Sequence, residues 1–171
     1  MGFFNFIKAF FIGVFTSSGT TEKLPAITNF DETKFVGTWY EYVRYDHWFE
    51  RDLLNVFTIY TKESDSTIKV VNIGKKNGVE KTIVGKARRK NVDKPNDGNL
   101  EVSFFGPFYS DYKIVYVDEQ FETMIVTGKT YNYFWVLSKN KNMSSVEFTK
   151  VINKAIAMGF DVKKMIISED F

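Results

Sequence analysis

Residues able to do chemistry are scarce in this chain. It holds one histidine, His47, and no cysteine among 171 residues. One imidazole cannot build a histidine-cluster zinc or iron site, and without thiols there is no disulfide, thiolate nucleophile or Cys-ligated metal. His47 lies in the run Asp46-His47-Trp48-Phe49-Glu50-Arg51. The neighbouring Asp is not enough for catalysis, because the imidazole has no nucleophile to activate. Glu41, six residues earlier, is the carboxylate expected inside the fold. Burial would raise its pKa, as an acid–base catalyst requires. The alternative is a structural acid bonded to tyrosines or to Lys139, favoured because no second acid, nucleophile or histidine is expected beside it. No catalytic residue, metal ligand or cofactor is therefore assigned.

The elements that must position these residues are strands. Segments of alternating character recur near 37–46, 54–62, 67–75, 79–89, 99–106, 110–118, 122–128 and 132–139. Turn signals separate them: Ser64-Asp65-Ser66, Lys76-Asn77-Gly78, Pro95-Asn96-Asp97-Gly98 and Asp118-Glu119. Eight strands joined by short hairpins predict an all-β, antiparallel up-and-down barrel, which removes exposed edges by closing on itself. Ser144-Ser145 with Glu147 can cap a helix, along which Val146, Val151, Ile152, Ala155, Ile156 and Met158 recur at helical spacing. Gly159 ends it, and a short final strand follows over 164–168. An aromatic content of 18% suits strands around an apolar interior. A net charge of +2 gives no argument for a nucleic-acid partner.

Residues 1–20 read as an apolar leader ahead of a domain over 27–171. Gly2–Phe15 is too short to span a bilayer as a helix. Lys8, the apolar run Ala9–Phe15 and the small residues Thr16-Ser17-Ser18-Gly19 fit a secretory signal instead. The expected location is periplasmic or outer-membrane associated. Anchoring of the uncleaved segment at a membrane surface is the alternative.

Trp39 sets the parity of the first strand, with Glu41, Val43 and Tyr45 inward and Tyr40, Tyr42 and Arg44 outward. In the fourth strand Lys86, Arg88 and Lys90 must face water, so Ile83, Gly85 and Ala87 face in. Their small size is expected to leave a ligand chamber; the alternative is that they admit large neighbours such as Trp135 or Phe104. The same alternation turns Ile68, Val70, Asn72 and Gly74 inward, and likewise Leu100, Val102 and Phe104. On the later strands it selects Tyr112, Ile114 and Tyr116, then Tyr133, Trp135 and Leu137.

Gly37-x-Trp39-x-Glu41, the run from Tyr45 to Arg51, and Ser103-Phe104-Phe105-Gly106-Pro107-Phe108-Tyr109 together resemble the lipocalin family. Within it they resemble the bacterial group that binds lysophospholipids. The resemblance implies a non-catalytic carrier of a small amphiphile, a lysophospholipid or fatty acid, serving membrane maintenance. It implies that Tyr109 and Trp135 line the pocket and that Lys139 packs over Trp39, where an arginine is usual. The expected ligand site comprises Val43, Tyr45, Trp48, Phe49, Gly85, Ala87, Phe104, Tyr109, Tyr112, Tyr116, Tyr133 and Trp135. Trp48 and Phe49 are expected to act as a lid over the mouth. Gly37, Trp39 and Lys139 form the structural motif. Membrane association and a homodimer stay open as further partners, and an enzyme on this fold acting on a small hydrophobic substrate is the alternative function.

Overall fold

The computed structural model describes residues 19–47 and 50–168. Eight antiparallel strands form a closed barrel: β1 (Gly37–Tyr45), β2 (Leu54–Lys62), β3 (Ile68–Lys76), β4 (Val79–Arg89), β5 (Asn99–Phe105), β6 (Phe108–Val117), β7 (Thr123–Thr127) and β8 (Phe134–Ser138). Each strand pairs with its neighbour in sequence, and β1 closes the ring by pairing with both β8 and β2. A ninth strand, β9 (Met165–Ile167), lies outside on the far half of β1. The all-β class, the eight-stranded barrel, the helix and the last strand are as the sequence predicts.

A single turn of helix, α1 (Glu32–Phe35), closes one end. Asp31 caps it, its carboxylate accepting from the backbone N–H groups of Thr33 and Lys34. Gly37 then enters β1 at φ +121°, a conformation that side chains resist. Nothing crowds its α-carbon, so the requirement there is one of backbone and not of space. Phe35 and Trp39 are fully buried at this end, with Phe30 and Phe121 beside them. The Trp39 indole N–H donates to the Phe35 carbonyl at 2.8 Å.

The second helix, α2 (Ser145–Ala157), starts at a capping box between Ser144 and Glu147. It buries Val151 and Ala155 on the outer wall of the barrel against Tyr42, Val43, Tyr45, Phe134, Val136 and Phe160. Val146 and Ile156, expected on the same face, stay exposed. An N-terminal strap lies along the outside. Thr21 bonds to the carbonyls of Gly128 and Lys129, and Ile27 bonds to Gly98 and Ile114. It ties the loop between β7 and β8 to the opposite end of the barrel.

Two bulges decide which side chains reach the interior. In β1 the register to β8 shifts between Glu41 and Val43. Glu41 pairs with Leu137 and Arg44 with Trp135 on the inner face, whereas Val43 pairs with Val136 on the outer face. The expected parity is therefore corrected beyond Glu41, because an extra residue in one strand flips every side chain after it. Val43 and Tyr45 pack under α2, and Arg44 turns in. A second bulge in β6 lies between Ile114 and Tyr116. Ile114 joins the inner core, while Tyr116 packs outside, its ring 5.7 Å from the Lys154 ammonium.

Candidate functional site

The barrel interior is solid at the Trp39 end and hollow toward the other. The hollow has about 780 Å³ of empty space, the open mouth included. Val56, Val70, Val102, Phe104, Val126 and Leu137 form its apolar wall. Glu41, Glu50, Thr58, Tyr60, Asn72, Tyr112 and Trp135 bring polar atoms to it. An apolar cavity with a few placed polar groups is the usual form of a small-molecule site.

Each polar group is held. The Tyr60 and Tyr112 hydroxyls meet at 2.7 Å, and Thr58 donates to the Asn72 side-chain carbonyl at 2.8 Å. Burial pushes both phenols above their ordinary pKa, so they remain protonated hydrogen-bonding groups. On β1, Arg44 Nη1 donates to Glu41 Oε1 at 2.9 Å. Its Nη2 reaches the Glu50 and Leu53 carbonyls at 3.3 and 3.4 Å. From the adjacent strand β8, Trp135 Nε1 donates to Glu50 Oε2 at 3.2 Å. The loop between β1 and β2 thus folds Glu50 inward, clamped by the guanidinium of one strand and the indole of another.

Glu41 therefore has company, which corrects the expectation of an isolated acid. Burial pushes its carboxyl up to about 7, with Arg44 opposing the shift. Glu50 is raised well above its ordinary value, first by burial and then by the charge of Glu41. His47 is buried too, stacked 5.3 Å from Tyr133 and 4.7 Å from the Trp135 ring. Burial, aided by the Arg44 charge, lowers its pKa to about 4, so the ring is neutral at ordinary pH. His47, Tyr133 and Trp135 make a three-ring stack at the mouth.

Of the expected site residues, Phe104, Tyr112 and Trp135 line the chamber. Tyr133 stands in the stack at the mouth, outside the chamber wall. Tyr109 is displaced: its ring lies under the Arg88 guanidinium at 3.9 Å, on the face where Arg88 pairs with Glu101. The cause is alternation within β6: Tyr109 lies three residues before the inward-facing Tyr112 and so takes the opposite face. Gly85 and Ala87 face inward but leave no void. A Cβ on Gly85 would meet Phe104 Cδ1 at 2.5 Å and the Ser103 carbonyl at 2.6 Å, and Ala87 is packed into the solid core. Their small size admits the Phe104 ring and close strand packing. Trp48 and Phe49, and the leader up to residue 18, lie outside the described residues.

Lys139 sits with its ammonium 5.1 Å from the centre of the Trp39 ring and donates to the Lys34 and Val36 carbonyls. It thereby satisfies carbonyls at the C-terminal end of α1 that the helix cannot. The residues missed from sequence are Glu50, Val56, Thr58, Tyr60, Asp111 and Val126. Alternation along Val56-Thr58-Tyr60 carried a signal for the β2 trio. Glu50, on a loop, carried none. Among the described residues no group of three or more histidines or acids is placed to hold a metal ion.

Residues 30–170 match the family model described as a Lipocalin-like domain. The chain is 34% identical over 161 residues to the outer membrane lipoprotein Blc of Citrobacter freundii, covering 94% of this chain and 91% of that protein. Apolipoprotein D of Macaca fascicularis is 30% identical over 159 residues, covering 85% of this chain and 79% of that one. Insecticyanin from the tobacco hornworm Manduca sexta superposes with a TM-score of 0.70 at 19% identity, covering 85% and 84% of the two chains, a likeness of fold alone. A barrel sealed at Trp39 by α1 and Lys139, hollow at its other end and matched over this length, places the chain in the lipocalin family.

Proposed function

We propose that the protein is a non-catalytic carrier that takes up the chain of a single-chain amphiphile, a lysophospholipid or fatty acid, in the β-barrel and holds its head at the mouth. The observation that carries this reading is the hollow between β2, β3, β5 and β8, apolar along its wall and polar where Glu50 and Trp135 meet. Burying a chain there gains roughly 25 cal/mol per Å² of apolar surface, offset by the cost of ordering it. The similarity to proteins named outer membrane lipoprotein Blc supports an exported or outer-membrane location, where such a carrier would serve membrane maintenance. Val70 lines the hollow, and Val70→Phe should fill it. Titration with an environment-sensitive fluorescent lysolipid should show at least tenfold weaker binding by the folded variant. Equal affinity would place the lipid elsewhere and overturn the reading.

A second reading draws on the Glu41–Glu50 pair, whose raised pKa values are of the kind acid–base enzymes use. Incubation with lysolipids and fatty acids followed by mass analysis separates the two. A carrier returns its ligand unchanged.

A further inference from the structure

The polar end of the chamber holds two carboxyl groups and one basic group. Glu41 and Glu50 both border it, and Arg44 is the basic group that contacts them. Asp111, the third acid at its border, is neutralised by Lys90 at 2.6 Å. No lysine or arginine is among the described residues of the wall. Nor is the guanidinium available to an incoming anion along its terminal nitrogens, since Nη1 is bound to Glu41 and Nη2 to two backbone carbonyls. Its Nε is buried without a partner among the described residues, but Arg44 does not itself border the chamber.

The Glu50 carboxylate, by contrast, accepts one described hydrogen bond, from Trp135. An ionised carboxylate offers about four acceptor positions. A carboxylate head brought to this place would add a third acid to a buried pair. An ammonium head would favour the ionised form of both acids, so that the two carboxylates, Arg44 and the head sum to zero, and would donate charge-assisted bonds to the Glu50 carboxylate.

We propose that Glu50 is the specificity-determining residue of the chamber, selecting single-chain lipids with a cationic amine head and rejecting those headed by a carboxylate. This rests on the carrier reading and narrows it, turning the choice of head away from fatty acids. The upward shift of the Glu50 carboxyl agrees, since a buried acid lacking a counter-cation holds its proton.

Three probes of equal chain length isolate the head: dodecylamine, dodecanol and dodecanoate, each displacing a fluorescent lysolipid from the full chain at pH 7.5. Dodecylamine should bind at least tenfold more tightly than dodecanoate, with dodecanol between them. Glu50→Gln keeps an acceptor for Trp135 but removes the charge, and should reduce that ratio to threefold or less. Dodecanoate binding as tightly as dodecylamine to the wild type would overturn the proposal and leave the carrier reading standing. A ratio unchanged in folded Glu50→Gln would also overturn it. Displacement by none of the three would overturn both. If Glu50→Gln does not fold, the wild-type order alone decides.

Discussion

At the scale of single residues, the mouth sets an imidazole against carboxyls. His47 has its pKa lowered from 6.5 to about 4, so the folded state binds fewer protons than the unfolded chain between those values. Its contribution to stability is complete above pH 6.5 and is lost as pH falls toward 4. Glu41, raised from 4.5 to about 7, acts in the opposite sense: its contribution is complete below pH 4.5 and is lost as pH rises through 7. Between about pH 4.5 and 6.5 the two effects oppose one another. His47→Phe keeps a ring in the stack and removes one side of this opposition. Relative to wild type, the variant should gain about 2 kcal/mol on going from pH 7 to pH 5. Denaturant unfolding at the two pH values checks it, and parallel pH profiles for the two proteins would contradict it. Lys139 works at the other end of the barrel. Lys139→Ala should lose the contact with Trp39 and the bonds to α1, costing about 1–2 kcal/mol of stability in urea titrations. Lipid affinity should be unchanged, because Lys139 does not border the chamber.

At the scale of elements, the strands were legible and the side-chain directions were legible only up to a bulge. Alternation placed Trp39 and Glu41 correctly because both precede the irregularity in β1. Past it, Tyr42-Val43-Arg44-Tyr45 offers apolar or aromatic residues at both parities, so no pattern betrays the extra residue. The same holds for Ile114-Val115-Tyr116 in β6, where successive residues are all fit to be buried. Arg44 carried the misleading signal, since an arginine on a strand reads as solvent-facing. It is buried because Glu41 and two loop carbonyls surround it. Glu50 was invisible as a site residue, because its inward position depends on Trp135, 85 residues away, and on Arg44, whose own inward turn is hidden by the bulge in β1. In β4 the inward face was read correctly, but its consequence was not. A glycine cannot reveal whether its vacant side holds a ligand or the Phe104 ring. Gly85→Ala should therefore cost about 1–3 kcal/mol by overpacking, since its Cβ would meet a ring and a backbone carbonyl. Thermal unfolding checks this, and an unchanged or raised Tm would contradict it.

At the scale of the whole molecule, the two ends of the barrel have different tasks. Aromatic packing seals one end: Phe35 lies 4.4 Å from the Tyr60 ring and 5.3 Å from that of Phe30. The other end gathers the acid pair, the arginine and the ring stack around a hollow. The helix α2 and the N-terminal strap pack on the outside and leave the interior free. This division is what a carrier requires, a rigid base for folding and a recessed mouth for exchange. The most direct test of the central claim is an isotope-filtered NMR experiment on the protein bound to a lysophospholipid with a 13C-labelled acyl chain. The account predicts cross-peaks from the chain to the methyl groups of Val70, Val102, Val126 and Leu137. Cross-peaks confined to exposed residues such as Phe105, Phe108, Ile166 and Ile167, with none to those four, would contradict it.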